Sequence, residues 1–181
     1  MSCVTRPYLS ASENGVLMPS LCPTLLIDTN IWLDCFLPNR PGHDEAMSLM
    51  SFAYEREYPL LYPTTIVKDM FYLMVNALKC DIRAKKGALT QNDAAAVTEC
   101  AWACVNNMRE RATAVGADES DIWMACKLRS VHNDLEDNLV VAAAQRADAT
   151  YLVTSDELLI KHAPVAALTP GDALALLQAM R

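Results

Sequence analysis

No apolar run in the sequence approaches the roughly 20 residues that a membrane-spanning helix needs, so no membrane partner is expected. Arg6 near the start is followed by no continuous apolar segment, and no secretory signal is expected. No two cysteines have the C-x-x-C spacing, and the total of seven is odd and scattered. That usage predicts reduced thiols and a cytoplasmic setting rather than a disulfide frame. Cys100 and Cys104, four apart on a predicted helix, are expected to pack rather than to bind metal. Basic charge is scarce as well: 15 Lys and Arg stand against 22 Asp and Glu, a net charge of −7. A protein that grips nucleic acid over a broad basic face would be basic. An acidic chain can still take a phosphate-bearing substrate where clustered acids hold a cation and invert the local field. Repeats, low-complexity segments and internal domain boundaries are all missing.

What is present is a chain of 181 residues that is 52% hydrophobic, enough for one domain with a sizeable core. Its sharpest feature is Leu25-Leu26-Ile27-Asp28-Thr29-Asn30. A short unbroken apolar run reads as a strand buried on both faces, as in a parallel sheet. Asp28 then stands at the carboxyl end of that strand, where ligands bind in open α/β sheets. Tyr151-Leu152-Val153-Thr154-Ser155-Asp156 repeats the grammar of apolar strand, hydroxyls and acid. Two such strands lying parallel bring Asp28 and Asp156 to one edge, and two carboxylates held together repel unless a cation sits between them.

Around these strands the periodicity predicts alternating elements. Residues 1–22, with Ser, Asn, Gly and Pro and no period, read as a flexible arm in which Met18 could be the natural start. A helix from Ile31 stops at Pro38, and a second runs from about Asp44 to Glu57. Leu60-Leu61-Tyr62 is a strand, and Thr64 or Thr65 caps a helix whose stripe is Met70, Leu73, Met74 and Ala77. Arg83-Ala84-Lys85-Lys86-Gly87 is a polar break, and Thr90 with Asp93 forms a capping box for a helix facing inward through Val97, Ala101, Cys104, Val105 and Met108. A weak strand at residues 112–115 and a helix marked by Ile122, Ala125, Cys126 and Leu128 follow. His132-Asn133-Asp134 is a turn before a helix from Leu135 to Arg146, with Leu139, Ala142 and Ala143 inward. A strand at residues 165–168 precedes a last helix that Thr169-Pro170 caps. The alternation predicts a three-layer α/β/α fold with a mainly parallel central sheet.

Each acid has a plain structural explanation. Asp134 suits an N-cap, Asp137 and Glu136 suit the positive end of a helix, and Asp69 suits a solvated helix face. Asp28 suits an Asx-turn or a helix cap, yet after a wholly apolar run it is costly to place without a partner.

In order and spacing, Leu-Leu-Ile-Asp-Thr-Asn-Ile-Trp-Leu-Asp, Thr-Thr-Ile-Val-Lys-Asp-Met-Phe-Tyr-Leu and Asp-Leu-Glu-Asp-Asn-Leu-Val-Val-Ala-Ala-Ala-Gln-Arg-Ala-Asp-Ala-Thr-Tyr-Leu-Val-Thr-Ser-Asp form one pattern over about residues 24–177. It resembles the PIN-domain family of metal-dependent ribonucleases, in its VapC-toxin-like branch, which includes toxins of bacterial toxin–antitoxin pairs. The resemblance implies a PIN-like nuclease domain over residues 23–181. It implies Asp28, Asp137 and Asp156 as catalytic acids and metal ligands, with Asp134 a further ligand and Asp69 at the position of a usual Glu. Asn30, Thr154 and Ser155 would support them. The implied cofactor is Mg²⁺ or Mn²⁺, cations that take oxygen ligands, activate water and offset phosphate charge. The implied partners are RNA, a cognate antitoxin and a second copy of the chain.

Arg83, Lys85, Lys86, Lys161 and His162 are candidate RNA contacts, with Lys68 and Arg40 further candidates; a solvated helix end is the plainer explanation of the first three. His43, His132 and His162 fall outside the acid motifs and read as surface or loop residues. Asn30 argues against a haloacid-dehalogenase phosphatase, which wants Asp-x-Asp after the first strand, and the acid pair and late Lys of a receiver domain are not in place. A PIN-like fold kept as a binding module without turnover stays open, because Asp69 is one methylene shorter than Glu.

Overall fold

The computed structural model describes residues 22–130 and 132–180. The arm expected over residues 1–22 lies outside the described residues, apart from Cys22. Among the described residues are five strands: β1 (Leu25–Ile27), β2 (Leu60–Pro63), β3 (Thr113–Val115), β4 (Tyr151–Val153) and β5 (Ala167–Leu168). They form one wholly parallel sheet in the order β3-β2-β1-β4-β5. Parallel neighbours need crossover connections, and helices supply them. These helices are α1 (Thr29–Phe36), α2 (His43–Glu55), α3 (Ile66–Lys86), α4 (Gln91–Arg111), α5 (Glu119–Lys127), α6 (Leu135–Arg146), α7 (Glu157–His162) and α8 (Pro170–Ala179). The expected three-layer α/β/α arrangement is the one observed.

β1 is central because all its side chains are apolar and all are buried. Leu26 pairs with Leu61 on one side and with Leu152 on the other. α2 packs on α1 and α8, α3 packs on α4 and α1, and α6 packs on α5, β2 and β4. One continuous core runs through Trp32, Leu49, Met70, Met108, Leu152 and Leu177. Among the described residues, no helix is long and apolar enough to cross a membrane.

Several local expectations need correction. The basic stretch at Arg83 is no break: α3 continues to Lys86 and ends at Gly87, whose φ of 79° suits a residue without a Cβ. α2 ends at Glu55, and Glu57 takes φ 56° to turn the chain into β2. Only Ala167–Leu168 of the last strand pairs with β4. Leu73, Ile122 and Cys126 were expected inward and are exposed, and Leu139 is only partly buried. On α5 the inward position belongs instead to Asp121, which pairs with Arg146. Thr90, Asp93 and Thr169 cap as expected, whereas Thr65 at the start of α3 makes no side-chain cap bond.

Gly42 stands where a Cβ would come within 2.3 Å of Asp34 Oδ2, and Asp34 is buried and paired with Arg40. Gly42→Ala must push that carboxylate aside. We expect a loss of about 1–3 kcal/mol in chemical denaturation, the usual range for overpacking. A change near zero would mean that Asp34 has room to turn.

Candidate metal centre

The site grows from the register of the sheet. Ile27 pairs with Val153, so β1 and β4 end together, and the Asp28 amide donates to the Val153 carbonyl at 3.1 Å. Asp28 is the N-cap of α1 and is only 4% exposed. Its Oδ1 accepts from the Thr29 amide at 2.6 Å. Its Oδ2 accepts from Asn30 Nδ2 at 3.0 Å and from Thr154 Oγ1 at 2.7 Å. Asn30 Nδ2 also reaches Thr154 Oγ1 at 3.2 Å, and the Ser155 amide donates to Asn30 Oδ1 at 3.3 Å. Asn30 and Thr154 thus lock the carboxylate, and Ser155 contributes its backbone.

Asp156 follows on the same edge as the N-cap of α7. Its Oδ1 accepts from the amides of Leu158 and Leu159 at 2.7 and 3.0 Å. Asp134 caps α6 through Oδ1, which accepts from the Glu136 amide at 2.8 Å. Asp137 lies in the first turn of α6.

His132 lies in a loop as expected, but its ring is turned inward rather than to the surface. Its side chain is 12% exposed, with Nδ1 3.0 Å from Asp137 Oδ2 and Nε2 3.9 Å from Asp156 Oδ2. Asn138 Nδ2 donates to the His132 carbonyl at 2.8 Å and fixes this segment to α6. The available signal was position: His132 stands five residues before Asp137, in the turn that feeds the acid-bearing helix.

The charges are crowded. Burial pushes the Asp28 carboxyl above its ordinary range, and Asp156 adds to it; hydrogen bonds from Thr154, Thr29 and Asn30 oppose the shift. Burial likewise pushes Asp137 up to about 6, against His132, which lowers it, and with Asp28, Asp134 and Asp156 raising it further. Among the described residues, the buried acids are Asp28, Asp34 and Asp121. Asp34 is paired with Arg40 and Asp121 with Arg146, while Asp28 has only neutral donors. A buried carboxylate without a cation is costly.

A pH prediction follows from Asp137. Its folded-state value near 6 lies above the ordinary 3.8, so between about pH 4 and pH 6 the unfolded chain gives up this proton first. Metal-free protein should therefore lose stability as pH rises through that window. Asp137 is only half buried, and solvent screening limits the loss to about 1 kcal/mol. Denaturation of the wild type and Asp137→Asn across that window checks this: the variant should lack the loss. Identical profiles would mean that Asp137 ionises freely.

Beside Asp28 and Asp137 opens a cleft of about 540 Å³ between α1, α3 and α6. Asp69, Glu136, Arg40 and Thr65 line it. Asp69 sits 3.5 Å from Lys68 Nζ, and burial with Asp69 and Asp134 nearby pushes Glu136 up, against Lys68. The Thr65 hydroxyl is buried without a partner. Of the expected RNA contacts, Arg83, Lys85, Lys86, Lys161 and His162 do not line the cleft. Lys86 is tied to Asp93 at 2.7 Å and Lys161 to Glu157 at 3.0 Å. Arg40 lines the cleft, and Lys68 pairs with Asp69, which lines it. Burial and the adjacent Asp34 push the Cys35 thiol up to about 12, so it offers no ready nucleophile.

The donors suit a hard divalent cation. Carboxylates crowd at the sheet edge, and one of them is buried with no cation of the chain's own. His132, Asp137 and Asp156 each place a ligand atom within 4.8 Å of the others. Asp28 and Asp134 stand outside that trio, with hydrogen bonds to both oxygens of Asp28 and to Oδ1 of Asp134.

A family model described as PIN domain matches residues 24–158. No curated protein matches the chain. Among solved structures, one similar chain belongs to VapBC2 from Rickettsia felis bound to a DNA fragment from their promoter. The two are 12% identical, with a TM-score of 0.53, over 81% of this chain and 98% of the other. Another is Mycobacterium tuberculosis VapC20, a toxin that cleaves the sarcin-ricin loop. It is 10% identical, with a TM-score of 0.51, over 71% of this chain and 86% of the other.

Proposed function

The chain belongs to the PIN-domain family, and from that premise we propose that it is a metal-dependent endoribonuclease and the toxin of a toxin–antitoxin pair. The observation that carries this is Asp28: a buried carboxylate, locked by three neutral donors, with Asp156 close enough to raise its proton affinity and itself close enough to raise that of Asp137. Asp28, Asp137 and Asp156 would hold Mg²⁺ or Mn²⁺, with Asp134 and Asp69 at the edge of the set. Such an ion supplies an activated water and offsets the charge of a phosphate. Asn30 and Thr154 hold Asp28 in place, so its oxygens need no reorganisation. Arg40, fixed by Asp34, and Lys68 offer positive charge to an RNA strand entering the cleft. The product would carry a 5′-phosphate.

The fold shared with VapC20, described as cleaving the sarcin-ricin loop, supports a single-stranded or loop RNA as substrate. The fold shared with a VapBC2 chain supports an antitoxin partner. Tyr72, Leu73, Trp102, Ile122 and Trp123 are large apolar side chains left exposed, and they suit a protein partner or a second copy. An antitoxin segment crossing the cleft would present Arg or Lys to its acids.

The test is cleavage of single-stranded and hairpin RNAs with Mg²⁺, with Mn²⁺ and with EDTA. Cleavage that needs the ion supports the reading. A folded protein that neither cuts RNA nor binds a divalent ion sinks it, and leaves a binding module; the Lys68 contact to Asp69, which occupies that acid without a metal, favours that second reading.

A further inference from the structure

The metal-nuclease reading uses acids alone, yet the imidazole of His132 reaches into the same set. We propose that His132 is a ligand of the divalent ion through Nε2, which makes this a mixed nitrogen–oxygen centre that favours Mn²⁺ over Mg²⁺. The inference rests on the metal-binding reading above and adds a residue and a metal preference to it.

The geometry sets both ring nitrogens among the acids. Nδ1 lies 3.0 Å from Asp137 Oδ2, within reach of a hydrogen bond once that nitrogen carries the proton. A histidine that binds metal commonly donates its other ring N–H to a carboxylate, which fixes the tautomer. With the proton on Nδ1, the lone pair is left on Nε2. That atom is 3.9 Å from Asp156 Oδ2, too long for a hydrogen bond. Two atoms at that separation can each lie about 2.1 Å from one shared cation. The Asp134 amide lies 3.1 Å from Nδ1 and competes for the same nitrogen, where it calls for an acceptor. Without an ion the amide bond is the one formed, which leaves the proton on Nε2; an ion at Nε2 would move that proton to Nδ1, where Asp137 Oδ2 stands ready to accept it. Asp156 keeps Oδ2 outside its helix cap, since Oδ1 carries both cap bonds. Asn138 holds the His132 carbonyl, so the ring is anchored rather than swinging with a free loop.

The metal preference follows from ligand chemistry. Mg²⁺ takes oxygen and keeps its waters, while imidazole suits transition ions, whose affinity for nitrogen-bearing sites rises along the first row.

The experiment is pulsed electron paramagnetic resonance on the full chain loaded with Mn²⁺. We expect a nitrogen coupling in the echo modulation, changed in pattern when the protein carries ¹⁵N-histidine. His132→Gln should remove the coupling and weaken Mn²⁺ binding about tenfold or more by calorimetry, with a much smaller change for Mg²⁺. The isotope comparison needs no variant, so it decides the matter even if the substitution misfolds. Mn²⁺ bound without nitrogen coupling overturns the proposal and leaves the acid-held nuclease standing. Absence of any Mn²⁺ binding overturns both.

Discussion

Asp28→Asn should leave a folded protein whose RNA cleavage falls on the order of a thousandfold, about 4 kcal/mol of lost barrier lowering. The substitution keeps the size of the side chain and removes its charge. Oδ1 can go on accepting from the Thr29 amide, because an amide oxygen serves there as well. The other side of the carboxylate meets Asn30 Nδ2 and the Thr154 hydroxyl, and an amide nitrogen placed against those donors loses their bonds. The hydroxyl can turn to accept instead. Loss of hydrogen bonds and relief of a buried charge act in opposite directions, so stability should move by about 1 kcal/mol or less. Metal affinity should fall with the charge. Single-turnover cleavage, calorimetry with Mn²⁺ and a melting curve separate these effects. An Asp28→Asn protein that keeps a tenth of the wild-type rate would show that this carboxylate only caps α1.

Where the sequence could be read, one physical constraint dominated. Leu25-Leu26-Ile27 and Tyr151-Leu152-Val153 are unbroken apolar runs, and such runs fit a doubly covered parallel sheet. Once the runs are parallel neighbours, the placement of Asp28 beside Thr154 is geometry. Asp134 and Asp137 were legible for a similar reason, since a helix start gathers both capping and charged acids. His132 was not legible, because a loop residue has no period and its partner Asp156 is 24 residues away. Leu73 misled in the opposite direction. It shares helical spacing with Met70 and Met74, yet that stripe widens past the core and lines the cleft at 47% exposure. The burial of Asp121 left no trace in the sequence, because a charged residue has no hydrophobic signal and the Arg that makes its burial tolerable stands in another helix.

That Arg gives the largest stability effect expected. Arg146→Ala should lower the denaturation midpoint clearly, because it leaves the buried Asp121 without its cation. Arg146 Nε reaches Asp121 Oδ1 at 2.9 Å, and its Nη2 donates to Ser120 Oγ at 2.9 Å and pairs with Asp118, so one guanidinium joins the start of α5 to the end of α6. Asp121 Oδ2 is already committed to the Asp118 amide at 2.7 Å, so the carboxylate cannot turn away to water without breaking the cap of α5. Adding Asp121→Asn to Arg146→Ala should recover part of the loss, since the amide oxygen can keep the cap and no charge remains to strand. A midpoint unchanged from the wild type would mean that the pair behaves as a solvated surface bridge. The cleavage rate of the folded fraction should not change, because Arg146 sits at the far end of α6 from Asp137. Asp121 and Asp28 therefore make a matched comparison within one chain. Both are buried carboxylates, but removing the charge at Asp121 answers to an arginine already in the fold, whereas removing it at Asp28 should be felt in metal affinity and turnover. Stability assays alone would not tell them apart; stability, metal binding and cleavage measured on both would.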